Sequence, residues 1–166
     1  MGKSYLYYKR DYENAIKYFK KAIEQATASD YDYSEAYAYL GGAYFIINQY
    51  DSAMDSFDEA IKKDSTYAEA YNCIGYIYHY KKQNSDSIAI DYYNKVINLY
   101  NRHIQYKEHS EPEATTTTYP SPNFVEIGDI YHDLGNNDRA IEFYNRAIEI
   151  NANDALLHKK RGNCIL

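Results

Sequence analysis

The sequence predicts an all-α fold, a helical-hairpin repeat array, and two recurrences carry that expectation. Glycines return at a fixed step: Gly41 and Gly75 are 34 residues apart, and so are Gly128 and Gly162. Around the first pair, SEAYAYLGGAY from Ser34 is echoed by AEAYNCIGYIY from Ala68. A second block appears four times, as AIKYFKKAI (15–23), AMDSFDEAI (53–61), AIDYYNKVI (89–97) and AIEFYNRAI (140–148). A period of this length marks stacked units, none of which can bury its apolar face alone.

Both blocks read as helices. The nine-residue block puts apolar residues at i, i+1, i+4, i+7 and i+8, one stripe of a helix. The glycine block, aromatic-x-x-apolar-Gly-x-x-Tyr, has the same spacing. Glycine inside a helix costs about 1 kcal/mol relative to alanine, so its recurrence calls for close approach of the paired helix. The reciprocal small residues are expected to be Ala15, Ala53, Ala89 and Ala140. The rings of Phe19, Phe57, Tyr93 and Tyr144 are then expected to fill the space between successive hairpins.

The set Tyr37, Leu40, Gly41 and Tyr44 with Ala53, Phe57 and Ala60 resembles the tetratricopeptide repeat (TPR) pattern. So do Tyr71, Ile74, Gly75, Tyr78, Ala89, Tyr93 and Val96, and then Phe124, Ile127, Gly128, Tyr131, Ala140, Tyr144 and Ala147. The resemblance implies a TPR-type right-handed solenoid of about three full repeats, with partial repeats at both ends. One domain over 1–166 is expected: a partial repeat (1–29), repeats at 34–67 and 68–103, an inserted loop or helix extension (104–120), a repeat at 121–154 and a partial repeat (155–166).

Taken in order, the first unit has a short leading helix near 3–9 and a full second helix over 11–26. The proline that usually closes a repeat is absent; Ser65 and Ala152 hold its place. Two extra residues around 83–87 lengthen the turn of the third unit. Beyond it the spacing stretches by about 17 to 19 residues. The helix carrying Ile90 is expected to continue through Ile97, Tyr100 and Ile104 toward Lys107, until the three prolines and threonine run of 111–122 break it. That segment reads either as a solvated loop or as a modifiable or partner-contacting one, with Tyr119 and its threonines as acceptors. The last unit supplies a first helix only.

The surface balance is mildly acidic, 18 Lys+Arg against 24 Asp+Glu for a net charge of −6, which speaks against nucleic acid. No apolar run reaches membrane-spanning length, and the N-terminus has no secretory stretch. Cys73 and Cys164 form no CxxC pair, so a reduced, cytoplasmic protein is expected. Tyrosine is abundant, 23 residues with no tryptophan. It suits cores, grooves and interfaces, although AT-rich coding would also raise it.

In proteins that this chain resembles, the first helices of the repeats line a concave groove that holds a peptide or protein segment. The residues the core pattern leaves over there are Glu35, Tyr39 and Phe45, then Glu69, Asn72, Tyr76, His79 and Tyr80, then Glu126, Asp129, His132 and Asp133. Five carboxylates without a Lys or Arg favour a basic or neutral segment. Lys159 and Asn163 resemble two members of a carboxylate clamp. The equivalent pairs Ala38/Gly42, Asn72/Tyr76 and Val125/Asp129 do not match it, and a complete clamp is rejected.

No catalytic, cofactor or metal site is expected. His79, His103, His109, His132 and His158 show no ligand spacing with one another or with a cysteine. His132 and Asp133, adjacent on a helix, are expected to point apart. Three roles remain: a non-enzymatic protein-binding module, head-to-tail self-assembly through the incomplete terminal units, or a regulatory domain of a larger protein.

Overall fold

The computed structural model describes residues 11–25, 33–81, 85–109 and 124–164, with backbone alone for 103–109. Among these residues there are eight helices and no strand: α1 (Tyr12–Glu24), α2 (Ser34–Ile46), α3 (Tyr50–Lys63), α4 (Ala68–Tyr80), α5 (Asp86–His109), α6 (Phe124–Asp133), α7 (Asn137–Ile150) and α8 (Ala155–Asn163). Packing gathers them into two compact units, Met1–Ile74 and Gly75–Leu166, divided inside α4. The expected leading helix at 3–9 and the 111–122 segment lie outside the described residues, as do the side chains of His103 and His109.

Local chemistry starts and stops these helices. Asp11 caps α1, its Oδ1 accepting from the Asn14 N–H at 3.2 Å. Asn136 does the same for α7 through Arg139 N–H at 3.3 Å, and Asp154 caps α8 through Leu156 N–H at 2.9 Å. Such caps satisfy donors that the first helical turn leaves unpaired. The turns after α2 and α6 share one geometry. Asn48 (φ 60°) and Gly135 (φ 73°) occupy the left-handed region. Around them Gln49 N–H reaches Tyr44 O at 2.9 Å, and Asn136 N–H reaches Tyr131 O at 2.8 Å. A left-handed residue closing the helix end this way favours Gly or Asn.

In the first unit α1 packs on α2, and α2 on α3. Phe19, Leu40, Ala43, Ala53, Phe57, Ala60, Tyr71 and Ile74 are buried there. In the second unit α5 packs on α6, α6 on α7 and α7 on α8. One cluster joins Ala89, Tyr93 and Ile97 with Phe124, Ile127, Ile130, Phe143, Ala147 and Leu157. The extension of the Ile90 helix is seen: α5 runs 24 residues to His109. It is held where Tyr100 meets the Phe124 ring edge-on at 6.4 Å.

The repeat glycines correct one detail of the expectation. The partner pressed against each is the aromatic ring of the second helix of its own hairpin, not the small residue four positions earlier. A Cβ added at Gly41 would lie 2.7 Å from the Phe57 ring, at Gly75 2.9 Å from Tyr93, and at Gly128 2.6 Å from Tyr144. The missing Cβ lets a flat ring lie on the helix, and each ring is almost wholly buried. The alanines Ala15, Ala53, Ala89 and Ala140 are fully buried as well. The close approach is real; the ring, being larger and flatter, is what exploits it.

Candidate functional site

The first unit carries an open hollow of about 650 Å³. Tyr12, Tyr39, Phe45, Ile46, Phe57 and Tyr67 supply its apolar lining, with Ala38, Gly42 and Cys73 beside them. Among the described residues that line it, Glu69 is the one that carries a charge. The walls are braced: the Phe19 ring stacks on Tyr39 at 5.5 Å, and the Tyr39 hydroxyl donates to Glu35 Oε1 at 3.3 Å. Phe45 meets Tyr50 edge-on at 5.8 Å. Gly42 creates room, since a Cβ there would meet nothing within 4 Å.

The second unit holds a smaller hollow of about 360 Å³, lined by His79, Tyr80, Asp129, His132, Asp133, Tyr144, Lys160 and Asn163. Its chemistry is largely consumed internally. Lys160 Nζ lies 2.6 Å from both Asp129 oxygens, and the Tyr144 hydroxyl donates to Asp129 Oδ1 at 2.8 Å. Burial, and then that bond to the carboxylate, pushes the Tyr144 phenol well above its ordinary range. His79 Nδ1 sits 2.8 Å from Asp86 Oδ1.

The sequence-selected residues therefore divide. Tyr39, Phe45 and Glu69 line the first hollow; His79, Tyr80, Asp129, His132 and Asp133 line the second. Glu35 braces Tyr39 rather than lining the hollow. Glu126 is taken by the Tyr93 hydroxyl, which donates to its Oε2 at 2.6 Å. Tyr76 packs on Tyr80 at 4.5 Å. Asn72 lines neither hollow, and its Oδ1 is buried without a hydrogen-bond partner among the described residues.

Two expectations change. The selected surface was read as free of Lys and Arg, yet Lys160 stands in the second hollow. The same rule would have found it: Tyr39, Cys73, Glu126 and Lys160 all lie two residues before a repeat glycine. His132 and Asp133 do not point apart, for Nδ1 and Oδ1 come within 3.4 Å. Asp133 ends α6, where a terminal residue's side chain can turn back toward its neighbour. Both side chains are solvated, 44% and 64% exposed, so the pair lacks the burial that would strengthen it. Among the described residues no group of three or more His, Cys, Asp or Glu is placed to hold a metal ion. No helix among them is long and apolar enough to cross a membrane.

The glycine–ring seat at three hairpins is the structural form of the repeat, and sequence families agree with it. The TPR repeat family matches residues 41–82 and 128–164, and the tetratricopeptide repeat family matches residues 1–28. The chain belongs to the tetratricopeptide repeat family. A TPR repeat-containing protein of Methanocaldococcus jannaschii is 24% identical over 193 aligned residues, which cover 91% of this chain. This chain spans only 33% of that protein's length. Two crystal structures of MamA have TM-scores of 0.71 and 0.70 against this tetratricopeptide repeat chain, each at 23% identity. They cover 99% and 98% of this chain, and 82% and 76% of their own. What that likeness shows is the shared all-α repeat fold.

Proposed function

We propose that this chain is a non-enzymatic protein-interaction module that holds a basic or neutral peptide or protein segment against the first helices of its repeats. The observation that carries the reading is the hollow of the first unit, about 650 Å³. It combines braced aromatic walls with an exposed carboxylate at Glu69. Tyrosine faces offer broad contact at little conformational cost, and carboxylates select the sign of the partner's charge. Fluorescence anisotropy with labelled peptides of matched length, one arginine-rich, one uncharged and one glutamate-rich, tests it. Binding of the first two with exclusion of the third is expected, and Glu69→Lys should weaken the arginine-rich peptide most. Equal binding of all three would refute charge selection.

Gly162 favours a second reading, head-to-tail self-association. It follows Gly128 at the repeat step, but a Cβ there would meet nothing within 4 Å. Among the described residues no ring fills this seat, and Leu156 on the same helix is 60% exposed. A helix from a second copy packed on that open seat would make a heterologous contact that propagates as rings or filaments. Light scattering over a concentration series tests this; a strict monomer at high concentration rules it out.

A further inference from the structure

The geometry points to the hollow of the first unit as the seat for a single basic side chain, an arginine or lysine of the bound segment, admitted because position 42 is glycine. This inference rests on the peptide-holding reading above and names the group that anchors there. The residue after each repeat glycine is Gly42, Tyr76, Asp129 and Asn163 in turn. Only the first of these leaves its place empty of side chain. The backbone does not demand glycine at 42: the residue sits inside α2, outside the positive-φ region, and a Cβ there meets no neighbour among the described residues. Helix propensity disfavours it. Packing and backbone geometry thus give no reason for glycine here, whereas the hollow does.

The chemistry of the lining selects the occupant. Tyr12, Tyr39 and Tyr67 bring aromatic rings to the hollow, and Glu69 brings a carboxylate to it. A cation over such rings is attracted electrostatically, more strongly as water is excluded. The same unit already places Lys20 Nζ 5.6 Å over the Tyr44 ring. Among the described residues no Lys, Arg or His lines the hollow to oppose a cation. An acidic side chain would meet Glu69, and a purely apolar one would leave that carboxylate unanswered.

The test uses the whole chain and two labelled peptides that differ at one residue, arginine in one and norleucine in the other, within otherwise identical uncharged sequences. Anisotropy titrations are run on the wild type, Gly42→Phe, Gly42→Ala and Glu69→Gln, with circular dichroism confirming helical content. The arginine peptide is expected to bind at least tenfold tighter than the norleucine peptide. Gly42→Phe, which puts a ring into the hollow at this position, should abolish that preference, and Glu69→Gln should reduce it several-fold. Gly42→Ala should leave most of it. If both peptides bind alike, or the preference survives in Gly42→Phe, the anchor assignment is overturned while peptide holding stands. If neither peptide binds the wild type, the peptide-holding reading falls with it.

Discussion

The two units use the same glycine–ring seat with different rings, and the tyrosine rings of the second carry a hydroxyl that the phenylalanine of the first lacks. In the first unit the ring over Gly41 is Phe57, which has no polar tip. In the second unit the rings over Gly75 and Gly128 are tyrosines, and each hydroxyl donates to a carboxylate, Tyr93 to Glu126 and Tyr144 to Asp129. Lys160 then joins Asp129 to α8. The second unit uses Glu126 and Asp129 to hold helices together. The first keeps Glu69 exposed beside an aromatic hollow.

The sharpest way to break this contrast is to remove one carboxylate from each unit. Asp129→Ala leaves the Tyr144 hydroxyl and the partly buried Lys160 ammonium without their acceptor. It should cost about 2–4 kcal/mol in urea denaturation, since a charged hydrogen-bond partner is lost twice over. Glu69→Ala should stay within about 0.5 kcal/mol of wild type, as an exposed substitution does. Equal losses from the two would erase the distinction.

Next in size are the glycines. Gly75→Leu forces a branched side chain against the Tyr93 ring and should destabilise by about 1–3 kcal/mol. Gly42→Ala meets open space and should stabilise by up to about 1 kcal/mol. Thermal melts of the pair, moving in opposite directions, would confirm that only one of these neighbouring helical glycine types is a packing device.

Smaller again is Tyr144→Phe, which keeps the ring in its seat and deletes one hydrogen bond, a loss of about 1–2 kcal/mol. It carries a pH signature. The folded phenol is held protonated above its ordinary value, whereas the unfolded phenol titrates near pH 10. The unfolded chain therefore releases its proton first as pH rises. The stability contributed by Tyr144 is complete below about pH 10 and is lost progressively above it. Tyr144→Phe should flatten the alkaline limb of the stability curve, with hydrogen exchange in α6–α8 reporting where. An unchanged alkaline limb would sever Tyr144 from that protonation. The smallest effect is Gly135→Ala, about 1 kcal/mol for a Cβ in the left-handed region, again read by urea denaturation.

Much of this was legible in the residues themselves. Helix positions followed from apolar spacing, because a 3.6-residue period is a local property of the chain. The close approach at Gly41, Gly75 and Gly128 followed from a residue type that a helix interior otherwise disfavours. Tyr39, Phe45 and Glu69 are first-helix positions that the core pattern leaves over, and Lys160 holds the place of Tyr39 in the last unit. That pattern still leaves Glu126 and Asp129 looking free.

The sequence by itself determined the repeat, its helices and the glycine seats, since each depends on neighbours within a turn or on a fixed period. Only the tertiary structure decided the fate of the charges. The hydroxyl that holds Glu126 comes from 33 residues away, and the ammonium that holds Asp129 from 31. Whether a carboxylate is bound or available is set by what the fold places within about 3 Å of it. No local pattern encodes that distance.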